Sequence, residues 1–153
     1  MAKLNYHVDA SFSQLAELTD DEKWQIIEPA AELARAAYAA AADAVFKRHT
    51  GALAESPTVE RKTNKHGVFA RIGLKGKHPN SSTGIRYKKD RNGKRRKSGN
   101  YSGTNAEVGY FLNYGTPRIK ATHWFDNASD KVEAEVQQKL EDGWNAYLDS
   151  KGV

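Results

Sequence analysis

The chain reads as an α+β domain: a small antiparallel sheet packed against two long helices, with a projecting basic hairpin or loop. Three observations predict this. Apolar residues recur at helical spacing in 29–49 and 125–148, they alternate with a period of two in 58–74, and Lys and Arg crowd into 61–100. At 153 residues and 39% hydrophobic content, one domain over 1–153 with its own core is expected. With no cysteine, disulfide scaffolds, thiolate zinc sites and a cysteine nucleophile are excluded. The Ala-rich stretch 30–46 is interrupted by Glu32, Arg35 and Asp43, and Met1 to His7 lacks an apolar core. Neither a membrane span nor a signal peptide is expected.

Leu4, Tyr6 and Val8 alternate with Asn5 and His7, which predicts a short strand; 11–18 reads as a short helix or turn. Thr19 is a candidate N-cap with Glu22 three residues on, so a helix starts there. Pro29 is expected to break or kink it and to open a second helix over about 29–49. Charges at Glu28, Glu32, Arg35, Asp43 and Lys47 share one face of that helix, leaving Leu33, Ala37, Ala41, Ala44 and Val45 as the packing face. Asp43 and Lys47 make a favourable i,i+4 pair, Lys47, Arg48 and His49 suit the negative helix end, and Gly51 is the left-handed stop. Two antiparallel strands follow at 58–65 and 67–74, and Val68, Ala70, Ile72 and Leu74 define one side of the second. Residues 75–82 are loop, 85–97 an extended hairpin turning tightly at Asn92-Gly93, and 105–114 a third core segment with Val108, Tyr110, Phe111, Leu112 and Tyr114. The final helix starts at about Phe125 or Asp126, with Val132, Val136, Leu140, Trp144 and Leu148 as its buried stripe.

The net charge of +5 conceals a segregation. Residues 61–100 hold fourteen bases (Arg61, Lys62, Lys65, Arg71, Lys75, Lys77, Arg86, Lys88, Lys89, Arg91, Lys94, Arg95, Arg96 and Lys97) against one acid, Asp90. The rest of the chain has ten bases against eighteen acids. A basic arm over 75–103, inserted in the sheet and almost without apolar residues, is therefore expected to project. Arg86, Lys88, Lys89, Arg91, Lys94, Arg95, Arg96 and Lys97 are its candidate contact residues. They suit the phosphates of a nucleic acid, with Tyr87 and Tyr101 available to stack, or an acidic neighbouring protein; the bland alternative is a solubilising loop.

No pattern of catalytic or metal chemistry stands out. His7, His49, His66, His78 and His123 fall in separate elements without HxxxH spacing, and Gly73-Leu74-Lys75-Gly76-Lys77 lacks the gap and trailing hydroxyl of a P-loop. No GxSxG occurs. The expectation is a non-enzyme with no catalytic residue, metal or cofactor; a small hydrolase or nuclease would need a triad or metal site that the sequence does not display.

Three spaced segments carry a resemblance. Thr50-Gly51-Ala52-Leu53-Ala54-Glu55-Ser56 is similar to a TGxLxxS motif after an Ala-rich helix. Tyr110-Phe111-Leu112-Asn113-Tyr114-Gly115-Thr116 is similar to aromatic-x-x-acid-aromatic-Gly-Thr, and 121–128, with Trp124, Phe125 and Ala128, to the opening of a last helix. In this order, over about 29–148, they resemble the small neck or tail-completion proteins of long-tailed bacteriophages (head–tail joining, minor tail protein Z-like). Asn113 stands where that family usually has a glutamate, Trp124 where it has proline, and the arm is longer and more basic. Thr50, Gly51, Leu53, Tyr114, Gly115, Thr116, Trp124 and Phe125 would keep the fold. The resemblance implies a structural virion protein, a subunit of a hexameric ring at the neck or tail end, assembled in the host cytoplasm. Its partners would be itself, a stopper or adaptor, the tail terminator, the tail tube and DNA passing through the lumen, with no membrane. Two alternatives stand beside it, a tail terminator capping the tube and a sequence-nonspecific nucleic-acid-binding domain.

Overall fold

The structure is a computed structural model that describes residues 4–8, 18–45, 51–78, 84–101 and 103–152. Its elements in chain order are β1 (Asn5–Val8), α1 (Asp20–Val45), β2 (Pro57–Asn64), β3 (Gly67–Leu74), β4 (Gly84–Lys89), β5 (Arg95–Tyr101), α2 (Asn105–Tyr114) and α3 (Trp124–Lys151). The α+β architecture is as the sequence predicts: α1 and α3 are long, pack on each other, and α1 covers an antiparallel sheet of order β1-β3-β2. Of the segment 11–18, read as a short helix or turn, residues 11–17 lie outside the described residues, as do 46–50, with Lys47, Arg48, His49 and Thr50.

Strict alternation makes β3 the central strand. Val68, Ala70, Ile72 and Leu74 are buried, while Phe69 and Arg71 on the other side are half-exposed. A one-residue slip would exchange these two sets, so burial fixes the register. Asn64 pairs with Gly67, leaving Lys65 and His66 as the connection to β2.

The start of α1 follows its capping residues. The Glu22 N–H donates to Thr19 Oγ1 at 3.3 Å, and the Thr19 N–H donates to Glu22 Oε2 at 3.0 Å. These reciprocal bonds satisfy donors that the first turn otherwise leaves open. The Glu22 carboxylate also accepts from the Tyr147 hydroxyl at 2.9 Å, tying the start of α1 to the end of α3.

Two expectations for this helix are corrected. Pro29 does not break it; α1 is continuous through that residue. A proline inside a helix costs about 3 kcal/mol or more, through a lost N–H and a clash with the carbonyl four residues back. Here Pro29 sits on the exposed side, where water can solvate the freed carbonyl, while Ile26, Ile27, Ala30 and Ala31 around it are buried. Packing on both sides of the proline outweighs its local penalty. The packing face is also rotated from the one expected. The buried stripe is Ile26, Ile27, Ala30, Ala31, Ala34, Tyr38 and Ala42; Leu33, Ala37 and Ala41 are half-buried, and Ala44 and Val45 are exposed.

Tyr38 joins three elements at the centre of the core. Its ring stacks on Phe125 of α3 with centroids 4.2 Å apart and meets Tyr6 of β1 edge-on at 5.7 Å. Its hydroxyl is 2.7 Å from Ser129 Oγ, so the buried polar end is satisfied, and burial raises its pKa above the ordinary tyrosine value. In α3, Trp124, Phe125, Ala128, Val132, Val136 and Leu140 are buried. The expected stripe holds to Leu140, beyond which Trp144 and Leu148 are half-exposed, and the helix begins at Trp124.

The segment 105–114 is a third helix, and its packing reverses what its apolar residues suggest. Its buried residues are Asn105, Glu107, Gly109 and Asn113; Val108, Tyr110, Phe111 and Leu112 are half-exposed and Tyr114 is 48% exposed. The basic arm is correspondingly not inserted in the three-stranded sheet. It follows β3, the last strand of that sheet in sequence, and among the described residues β4 and β5 pair only with each other.

Candidate interaction site

Over 84–101 the arm is a two-stranded ribbon whose turn is built by its one acid. Asp90 Oδ1 accepts the Asn92 and Lys94 N–H groups, each at 3.0 Å, and Arg96 Nε donates to Oδ2 at 2.9 Å. The Gly93 N–H donates to the Asp90 carbonyl at 3.0 Å, and Gly93 has φ +74°. This makes a three-residue loop of Arg91, Asn92 and Gly93, longer than the two-residue Asn92-Gly93 turn expected. The Lys94 N–H, with support from Arg96 and the Asn92 N–H, holds the Asp90 carboxyl below its ordinary value of 3.8.

Pairing of Tyr87 with Lys97, Lys88 with Arg96 and Lys89 with Arg95 divides the ribbon into two faces. One carries Tyr87, Lys89, Arg95 and Lys97; the Arg95 guanidinium lies over the Tyr87 ring, 4.8 Å from its centroid. The other carries Lys88, Asp90, Lys94 and Arg96, and here the Arg96–Asp90 pair neutralises one cation within the ribbon. Arg91 is at the tip. From Tyr87 to Ser98 every side chain is exposed except half-buried Asp90. Between the Arg86–Gly99 and Tyr87–Lys97 pairs, Ser98 is an extra residue, a bulge that re-aims the outer ribbon. The side chains of Arg86 and Tyr101 lie outside what is described.

The remaining residues singled out from sequence lie at chain reversals. Thr50 is outside the described residues, Gly51 has φ +74°, and buried Leu53 closes the turn into β2 by accepting the Ser56 hydroxyl at 2.7 Å. Tyr114, Gly115, Thr116, Trp124 and Phe125 meet where α2 passes into α3. Gly115 has φ +80°, and a Cβ there would lie 2.8 Å from the Ala121 nitrogen and 2.9 Å from the Ile119 carbonyl oxygen. Thr116 Oγ1 accepts the Arg118 and Ile119 N–H groups, and the Trp124 indole N–H donates to the Gly109 carbonyl at 3.2 Å.

Two residues here have a structural role that their sequence positions do not reveal. Asn113, fully buried, accepts the Phe125 N–H at 2.9 Å and donates to Asp126 Oδ2 at 2.9 Å. It thereby caps α3 from another helix, since His123 at the N-cap position has φ 50° and makes no side-chain capping bond. Asp126 also accepts the Tyr114 hydroxyl at 3.4 Å; burial and then this carboxylate push the tyrosine pKa up. Where the resembled family has an acid, this chain has an amide whose bonds are to its own residues.

A shallow apolar groove of about 410 Å³ runs between α1 and α3, lined by Ala37, Ala41, Val45, Ala128 and Val132, with Lys131 and Glu135 beside them. Among the described residues no three His, Asp or Glu side chains converge as a metal site requires. No described helix is long and apolar enough to cross a membrane. Compared with known proteins, the chain matches no family model, no curated protein and no solved structure.

Proposed function

We propose that the chain is a non-enzymatic structural subunit of a bacteriophage neck or tail end, acting in tail completion or head–tail joining as one copy of a ring. The observation that carries this reading is the two-part construction: a packed α+β body, and a basic ribbon that contributes no described buried residue to it. The three segments resembling the tail-completion family sit at the reversals that shape that body. The small-residue groove between α1 and α3 offers neighbouring copies a face for close approach, and repeated use of unlike faces closes a ring. The ribbon is left to contact whatever the ring encloses or abuts.

Electron microscopy of the intact virion tests this. A ring of copies at the neck or tail end is expected, six by the family resemblance. A ring closing the tail tube itself would make the chain a terminator. Absence from the particle would overturn the assignment.

A further inference from the structure

We propose that the β4–β5 ribbon enters the major groove of duplex DNA, meeting phosphates with both faces and its tip without reading base sequence. The distribution of cations leads there. Lys89, Arg95 and Lys97 point from one face, Lys88, Lys94 and Arg96 from the other, and Arg91 stands at the tip. A flat acidic protein surface can meet one face of a ribbon and leaves the other in water. A groove has a phosphate wall on each side and engages both.

Composition argues the same way. Protein interfaces have apolar centres depleted in lysine. This ribbon, from Tyr87 to Ser98, offers one aromatic and no aliphatic residue. The major groove of DNA, about 12 Å wide, accommodates a two-stranded ribbon. The deep, narrow major groove of duplex RNA would exclude it. Asp90 fixes the turn in advance, so little ordering is required on binding. The inference stands on the ribbon alone and does not need the ring assignment.

The test is fluorescence anisotropy of the full chain with a labelled 20-base-pair DNA duplex across a salt series. Every phosphate that is no longer neutralised lowers the slope of log K against log salt by about 0.9, so K89A/R95A/K97A should reduce it by about 2.7 and K88A/K94A by about 1.8. These side chains are exposed, and an unchanged thermal midpoint checks that the body is intact. A second, unrelated DNA sequence should bind within about twofold, and an RNA duplex of equal length at least tenfold more weakly, as a sequence-blind contact confined to the wider groove requires. The proposal is overturned if the duplex is not bound at low salt, if K88A/K94A leaves the slope unchanged, if RNA binds equally, or if polyglutamate competes as well per charge as DNA. The second and fourth results would indicate an acidic protein partner.

Discussion

The chain holds two β-hairpins made from opposite materials. The β2–β3 hairpin has one side sealed under α1, and its register is set by Val68, Ala70, Ile72 and Leu74. The β4–β5 hairpin has no such side among its described residues; its register is set by Asp90 gathering two backbone N–H groups and Arg96, and by Arg95 lying over Tyr87. The first depends on the rest of the molecule. The second depends on its own residues, and so its surface can be devoted to contact without cost to the core. A contact element assembled this way is separable from the fold that presents it.

Changes to the body should have the largest effects. Ile72→Ala removes a fully buried side chain from the central strand and is expected to cost about 2–5 kcal/mol, read from denaturant unfolding. The β4–β5 bonds should not soften that loss. Asn113→Ala comes next, at about 1–3 kcal/mol, because the Phe125 N–H is left without its acceptor and Asp126 Oδ2 loses the amide that donates to it. A loss as small as that of an exposed alanine substitution would show that α3 does not need this cap.

Acid should loosen the body through Glu22. Its carboxyl is lowered from 4.5 to about 2, first by the Thr19 N–H and then by the Tyr147 hydroxyl. A depressed carboxyl contributes stability that is fully present above its ordinary pKa and disappears as pH falls through the folded value. The thermal midpoint should therefore fall between about pH 4.5 and pH 2, and Glu22→Gln should flatten that part of the profile. An unchanged slope in the variant would remove Glu22 from the account.

The smallest effect on the body, and the sharpest on the comparison, belongs to Asp90→Ala. The global midpoint should not move, while amide protection over 90–96 disappears. A midpoint that falls as far as in Ile72→Ala would mean that the two hairpins are one cooperative unit.

What could be read in the sequence follows the same division. Periodic burial was legible, as in β3 and in Val132, Val136 and Leu140, because one repeating environment leaves one repeating pattern. The cationic ribbon was legible because charge without apolar residues has no place in a core. Asp90 was not: a lone acid in a basic run looks like loop composition until the turn brings it to Asn92, Lys94 and Arg96. The course of α1 through Pro29 was not legible either, since local proline chemistry argues for a break and only packing by α3 and the sheet decides otherwise. Asn113 was hidden for a similar reason, its partners being at the start of another helix. The apolar residues of α2 suggested a buried face, yet bonds to Asn113 and the close approach at Gly109 determine which side turns inward.

Residue-resolved amide exchange of the full chain, followed with added denaturant, tests the central claim most directly. Gly93 and Lys94 are predicted to be protected, but to exchange through a local opening that denaturant barely affects. Ala70 and Ile72 should exchange only through global unfolding, which denaturant strongly promotes. One opening free energy with one denaturant dependence for both hairpins would contradict the account, as would a β4–β5 turn with no protection at all.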